Sequence, residues 1–126
     1  MSDEIQYAVS ATIKDSSGVQ MDSWTSETVK VTQTTPNSGG HPGTVAVTTA
    51  EADMTTTGLT TPSMLYLKNL DGTNYVTYGP KSGGAMILFG KLKPKDVHIL
   101  RLGASVILRW LANSATCRVL AKCYDD

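Results

Sequence analysis

Residues 63–79, SMLYLKNLDGTNYVTYG, constrain the fold of this chain more than any other stretch. Two β-rich runs, 64–67 and 75–78, flank a polar turn containing Asn69, Asp71, Gly72 and Asn74. An Asp-Gly pair between alternating apolar residues predicts a β-hairpin, because glycine accepts the positive φ of a tight turn. Such a hairpin makes the expected class all-β and antiparallel.

The same period of two recurs along the chain. Ile5, Tyr7, Val9, Ala11 and Ile13 alternate with Gln6, Ser10, Thr12 and Lys14 over ten residues, which predicts a strand with one buried and one wet face. Asp15-Ser16-Ser17-Gly18 reads as a turn. A Thr-rich strand follows around Val29 and Val31, with Trp24 just upstream. Residues 34–43, TTPNSGGHPG, hold two Pro and three Gly; residues 36–43 are expected to be a flexible loop and a natural contact arm. A short strand at 45–48 precedes a weak Thr-rich region, 54–61.

Met86-Ile87-Leu88-Phe89 is apolar on both faces and predicts a central strand. The charged connector KLKPKD (91–96) leads into three further strands at 97–102, 105–111 and 116–124. Val106, Trp110, Leu111 and Ala115 also fit one face of a helix; the short spacing of turn signals and the Val/Ile enrichment favour strands. Roughly eight to ten short strands at about ten-residue intervals are the pattern of a sandwich or barrel.

At 126 residues the expectation is one domain spanning 1–126. Of 17 Thr, 14 precede residue 63; Thr favours exposed sheet over core, so the first half is expected to be thinly packed and braced by neighbouring chains. Eleven basic residues balance eleven acidic ones, which disfavours a duplex nucleic acid as partner. The neutral total hides an asymmetry. Residues 1–62 carry two Lys and seven Asp or Glu, net −5; residues 63–126 carry nine Lys or Arg and four Asp or Glu, net +5. Either this is a solvated surface without consequence, or oppositely charged surfaces meet between subunits, where complementarity sets orientation.

The acidic start MSDEIQYAV has neither the basic nor the apolar segment of a signal peptide, and no apolar run approaches the ~20 residues of a membrane helix. Synthesis and folding in a cytoplasm, without secretion or membrane insertion, are therefore expected. Cys117 and Cys123 lie six residues apart, about 20 Å along a strand or about 9 Å along a helix, against the ~5.5 Å of a disulfide. Buried free thiols are expected.

No catalytic, cofactor-binding or metal-binding residues are assigned. His41, His98, Cys117 and Cys123 lack metal-ligand spacing. No Ser or Cys has a credible His and acid partner, and a meeting of His98 with Ser105 would be accidental. Lys81 followed by Gly83-Gly84 lacks the G-K-[ST] of a phosphate loop. Asn69, Asp71 and Asn74 lack the closing Glu of a calcium loop and read as turn formers. Trp24, Tyr66, Tyr75, Tyr78 and Trp110 could form a sugar-stacking platform, but a domain with eight aromatics needs several for its own core.

The segment LKNLDGTNYVTYGP, the later KLKPKDVHILRL and the closing VILRWLANSATCRVLAKCYDD resemble small structural proteins of tailed bacteriophages. The matching positions are Asn69, Leu70, Asp71, Asn74, Tyr75, Gly79, Leu92, Lys93, Asn113 and Cys117, with Pro94-Lys95 standing where Gly-Glu is commoner. The resemblance spans residues 63–126 and rests on turn chemistry. It implies a jelly-roll-like β-sandwich and a non-enzymatic role in the virion. The first expectation is a capsid decoration (cement) protein on the capsid exterior, partnered by the major capsid protein and self-associated, as a trimer. The alternatives are a tail, neck or fibre component, or a carbohydrate-binding adhesion module.

Overall fold

The computed structural model describes residues 5–33, 39–56 and 59–125. Among these residues every regular element is a β-strand, and every strand pairing is antiparallel. The chain divides into two compact units, Met1–Asn37 and Ser38–Asp126.

In the first unit, β1 (Ile5–Tyr7) pairs with β4 (Val29–Val31), and β2 (Ser10–Lys14) pairs with β3 (Gln20–Thr25). These four segments form one long two-stranded ribbon. Its interruption is bridged by Ser26 N–H donating to Val9 O at 2.8 Å and Val9 N–H donating to Ser26 Oγ at 2.9 Å. The predicted turn after Lys14 closes the tip. The Asp15 carboxylate accepts from the N–H groups of Ser17 and Val19, both at 2.9 Å, and Gly18 takes the positive φ (+89°) that the bend requires.

The second unit is a sandwich. One sheet has the order β11-β7-β13-β5, built from β5 (Gly39–Val47), β7 (Pro62–Asn69), β11 (Val97–Arg101) and β13 (Cys117–Asp125). The other has the order β10-β8-β12-β6, from β6 (Ala52–Asp53), β8 (Val76–Ser82), β10 (Gly90–Leu92) and β12 (Leu108–Ala112), with β9 (Ala85–Met86) also on β8. Period-two alternation fills the space between the sheets. Cys117, Val119, Ala121 and Cys123 point inward from β13, and Leu108, Trp110 and Ala112 from β12. The strand reading of residues 105–111 therefore holds over its second half, and the helical alternative is excluded.

The hairpin expected at 63–79 does not form. β7 pairs with β11 and β13, whereas β8 pairs with β10, β12 and β9, so the Asp-Gly segment carries the chain from one sheet to the other. Gly72 is not among the glycines of positive φ. Side chains close this crossing instead. Asp71 accepts from the N–H groups of Thr73 (2.8 Å) and Asn74 (2.6 Å). Asn69, fully buried, donates from Nδ2 to Asn74 O (2.9 Å) and Leu92 O (3.1 Å), and accepts from Asp71 N–H (2.9 Å). Its backbone also exchanges hydrogen bonds with Lys95 and Asp96, tying the 93–96 turn to the crossing.

The tight hairpin is one step later. β8 and β9 are joined by Gly83-Gly84, with φ of +61° and +86°, the paired positive values that a two-residue hairpin turn demands. The expected central strand at 86–89 is also corrected. After β9 the chain follows β8 through Ile87 N–H to Pro80 O and Phe89 N–H to Tyr78 O, then re-enters the ladder at Gly90 one residue out of step. A one-residue slip of this kind is a bulge. Pro80, which has no N–H to give, sits where the ladder is interrupted. A Cβ on Gly79 would fall on the Ile87 carbonyl, and one on Gly90 on the Tyr78 ring, so both positions need glycine for this close approach.

The flexible loop expected at 36–43 is corrected in its described part: residues 39–43 belong to β5 and pair with β13, Pro42 opposite Lys122. Proline is tolerated because β5 is an outer strand of its sheet, and positive φ at Gly40 and Gly43 permits the irregular path. Residues 36–38 lie outside the described residues.

Replacing Asn69 with Ala would orphan the carbonyls of Asn74 and Leu92 and the N–H of Asp71. At about 1 to 3 kcal/mol for each buried polar group left unmade, Asn69→Ala is expected to cost about 3 kcal/mol or more in urea unfolding. Asp71→Ala, which removes a half-exposed acceptor of two turn amides, should cost clearly less. Equal and small losses for the two variants would contradict this ranking.

Candidate interaction surfaces

The aromatic residues weighed as a sugar platform are not brought together. Tyr78 and Trp110 face each other across β8 and β12, and both are buried in the core. Tyr75 lies under the Lys91 ammonium, 4.0 Å from the ring centroid, and Trp24 belongs to the ribbon. His98 is held by the Tyr78 hydroxyl, 2.6 Å from its Nδ1, and packs edge-on against that ring. Burial raises the Tyr78 pKa, keeping its hydroxyl protonated as a hydrogen-bonding group. Cys117 and Cys123 are free and buried, as expected, and burial also pushes their thiols upward. Among the described residues, no three His, Cys, Asp or Glu side chains come together to hold a metal ion. Among the described residues, no helix is long and apolar enough to cross a membrane.

What the described residues do present is apolar surface in two places. The first is the ribbon. Paired residues of an antiparallel ladder share a face, so the Ala11–Trp24 pair and the Ile13–Asp22 pair lie on one side of β2/β3, while Ser10, Thr12, Ser23 and Thr25 lie on the other. Trp24 is 54% exposed and Ile13 40%. Met21, at the register shift opposite Ile13 and Lys14, is 70% exposed. Every residue of β3 is exposed.

The second is the bulge of the sandwich. A regular strand would turn alternate side chains inward; the slip after β9 leaves three consecutive ones in solvent, Ile87, Leu88 and Phe89, at 56%, 66% and 74%. Beside them runs a groove of about 400 Å³, lined by Pro80, Phe89, Leu100, Arg101, Leu102, Gly103, Val106 and Leu108. Exposed clusters of large apolar side chains mark interaction sites more often than solvated surface.

Charge separates the two units as well. Residues 1–37 carry two Lys and five Asp or Glu, net −3; residues 38–126 carry nine Lys or Arg and six Asp or Glu, net +3. Near the bulge, Arg109 donates from Nε to Asp53 Oδ1 (2.5 Å) and from Nη1 to Glu51 Oε1 (2.6 Å) and Gly84 O (2.8 Å). Lys81 adds a contact to Asp53 at 3.3 Å. Glu51 also accepts from Met86 N–H at 2.7 Å, so this network clamps the β8–β9 hairpin to β6 and β12. The sequence offered no sign of it beyond the separate charges.

The fold thus defines an antiparallel β-sandwich preceded by a two-stranded ribbon. No family model, no curated protein and no solved structure matches this chain.

Three carboxylates sit below the usual carboxylate range: Asp53 through its hydrogen bond from Arg109, Asp71 through the Asn74 and Thr73 amides, and Asp15 through the Val19 amide. A pKa lower in the folded than in the unfolded chain stabilises the fold above the unfolded value, about 4, and that contribution is lost as pH falls through the folded value. The melting temperature should therefore hold steady from pH 7 to about pH 5 and fall below about pH 4. Asp53→Asn and Asp71→Asn should each flatten the acid limb. A melting temperature unchanged or rising toward pH 3 would contradict these assignments.

Proposed function

We propose that this protein is a non-enzymatic structural component of a bacteriophage virion, a capsid decoration protein that binds the outside of the head shell as a small cyclic oligomer, a trimer. The observation that carries this is the connectivity of the sandwich. In chain order, β5, β7, β11 and β13 fall in one sheet and β6, β8, β10 and β12 in the other, and along these two orders no two neighbours are consecutive strands. The spatial orders β11-β7-β13-β5 and β10-β8-β12-β6 support a jelly roll, two interleaved Greek keys, an architecture found in viral capsid and lectin domains. Fold alone does not assign a role. The additional support is the kind of surface available: exposed apolar clusters with opposed charge, suited to burying area against other chains.

A decoration protein performs no reaction. It binds the assembled shell and not its separated subunits, and so stabilises the shell by mass action. The partner on this reading is the major capsid protein. Burial of Tyr78 and Trp110 removes two members of the aromatic row that a glycan-binding module would use.

The test is co-sedimentation of the purified protein with capsids that lack it, beside isolated tails. Saturable binding to capsids, with a rise in their melting temperature, is expected. Binding to tails alone would move the protein to the tail or fibre, and binding to neither would refute a virion role.

A further inference from the structure

We propose that the ribbon of one copy docks by its apolar face into the bulge groove of a second copy, Trp24 entering between Phe89 and Val106. The proposal rests on the self-association in the reading above, and is independent of the shell.

An isolated two-stranded ribbon is marginal in water unless its apolar face is covered. Here the face carrying Ile13 and Trp24 is solvent-exposed, with Met21 exposed beside it. Aromatic side chains are the commonest anchors of protein interfaces, and they act by filling apolar pockets. The groove beside Phe89 is such a pocket, and its volume falls in the range that accommodates small organic groups.

Charge selects a second copy as the occupant. Residues 1–37 are net −3 and residues 38–126 net +3, with the ribbon residues 5–33 at net −1, so unlike surfaces attract across two copies while the neutral whole lets copies approach. The signs are also placed locally. Asp22 shares the ladder face of Ile13 and Trp24, and Arg101 lines the groove. Such a contact is heterologous, one surface meeting a different one, so it must close into a ring or continue as a filament. A ring of three is the closed form that the decoration reading uses.

The full-length chain is suited to the test. Sedimentation velocity over a dilution series should show reversible association that weakens as salt rises. Trp24→Ser and Phe89→Ser should each weaken it about tenfold or more, with the thermal melt of the sandwich retained. Because Trp24→Ser could act by unfolding the ribbon, a mixing experiment supplies a second readout. Asp22→Cys protein and Arg101→Cys protein, mixed under mild oxidation, should form the mixed disulfide several-fold faster than either forms its own homodimer. A monomer at all concentrations, association indifferent to both substitutions, or homodimers of Asp22→Cys outrunning the mixed species would overturn the proposal. Association without capsid binding would leave it standing and remove the shell; capsid binding by a monomer would do the reverse.

Discussion

The buried amide of Asn69 is the contact on which the sandwich depends. An antiparallel sandwich must pass its chain repeatedly from one sheet to the other, and each passage strands backbone groups that no ladder satisfies. At one end of this molecule two passages meet, the segment leaving β7 for β8 and the turn between β10 and β11. One side chain serves both: Nδ2 takes a carbonyl from each, Oδ1 receives an amide from the first, and the residue's own N–H and C=O bind the second. An amide can do this because it offers two donors and an acceptor on one rigid plane. A carboxylate would lack the donors and carry a charge into a fully buried position.

With that junction held, the remaining features follow from ordinary sheet physics. β13 lies between β7 and β5 and supplies the largest run of alternating buried residues. Its last residue, the buried Asp125, accepts from the Thr60 and Thr61 amides and fastens the segment leading into β7. On the opposite sheet, Gly79 and Gly90 permit the close approach of the bulge beyond β9, and the bulge leaves Ile87, Leu88 and Phe89 exposed. The same local geometry therefore both edges the sheet and makes its most apolar surface. Tyr78 packs against Phe89 at 6.4 Å between ring centroids and against His98, connecting that surface to the core.

Strands whose burial alternates are legible from the residues alone: 116–124 and the second half of 105–111 match β13 and β12. The alternation from Ile5 to Ile13 marks extended chain, but its expected buried face is corrected: residues 8 and 9 interrupt it, Val9 and Ile13 are exposed, and β3 lies outside the expected strands. Partners are not legible. Asp-Gly looks like a hairpin tip, yet Asn69 and Asp71 close a crossing with side chains and leave Gly72 without a positive φ. The true hairpin, Gly83-Gly84, reads in sequence as an incomplete phosphate loop, because neither glycine is flanked by the alternating apolar runs that signal a turn. Met86–Phe89 misled because an apolar run cannot distinguish a strand buried on two faces from a bulge exposed to solvent; the difference lies in Gly79 and Gly90, which act across the sheet. Residues 39–43 look like a loop by composition and become a strand because the edge of β13 is available to pair with them. Trp24 is a surface candidate in the sequence only as one of five aromatics, and the groove beside Phe89 has no sequence signal, since both depend on which residues the fold leaves uncovered.

On the proposal above, the sandwich folds on its own and the exposed β2/β3 end of the ribbon gains its cover from a second copy of the chain. Amide hydrogen exchange of the full-length protein at low and high concentration tests it most directly, because exchange reports opening segment by segment. The account predicts that amides of β7, β12 and β13 are protected at both concentrations, while those of β2 and β3 exchange rapidly in dilute solution and become protected on concentration. Ribbon amides as slow as those of β13 in the dilute chain would contradict it, since the ribbon would then be stable without a partner.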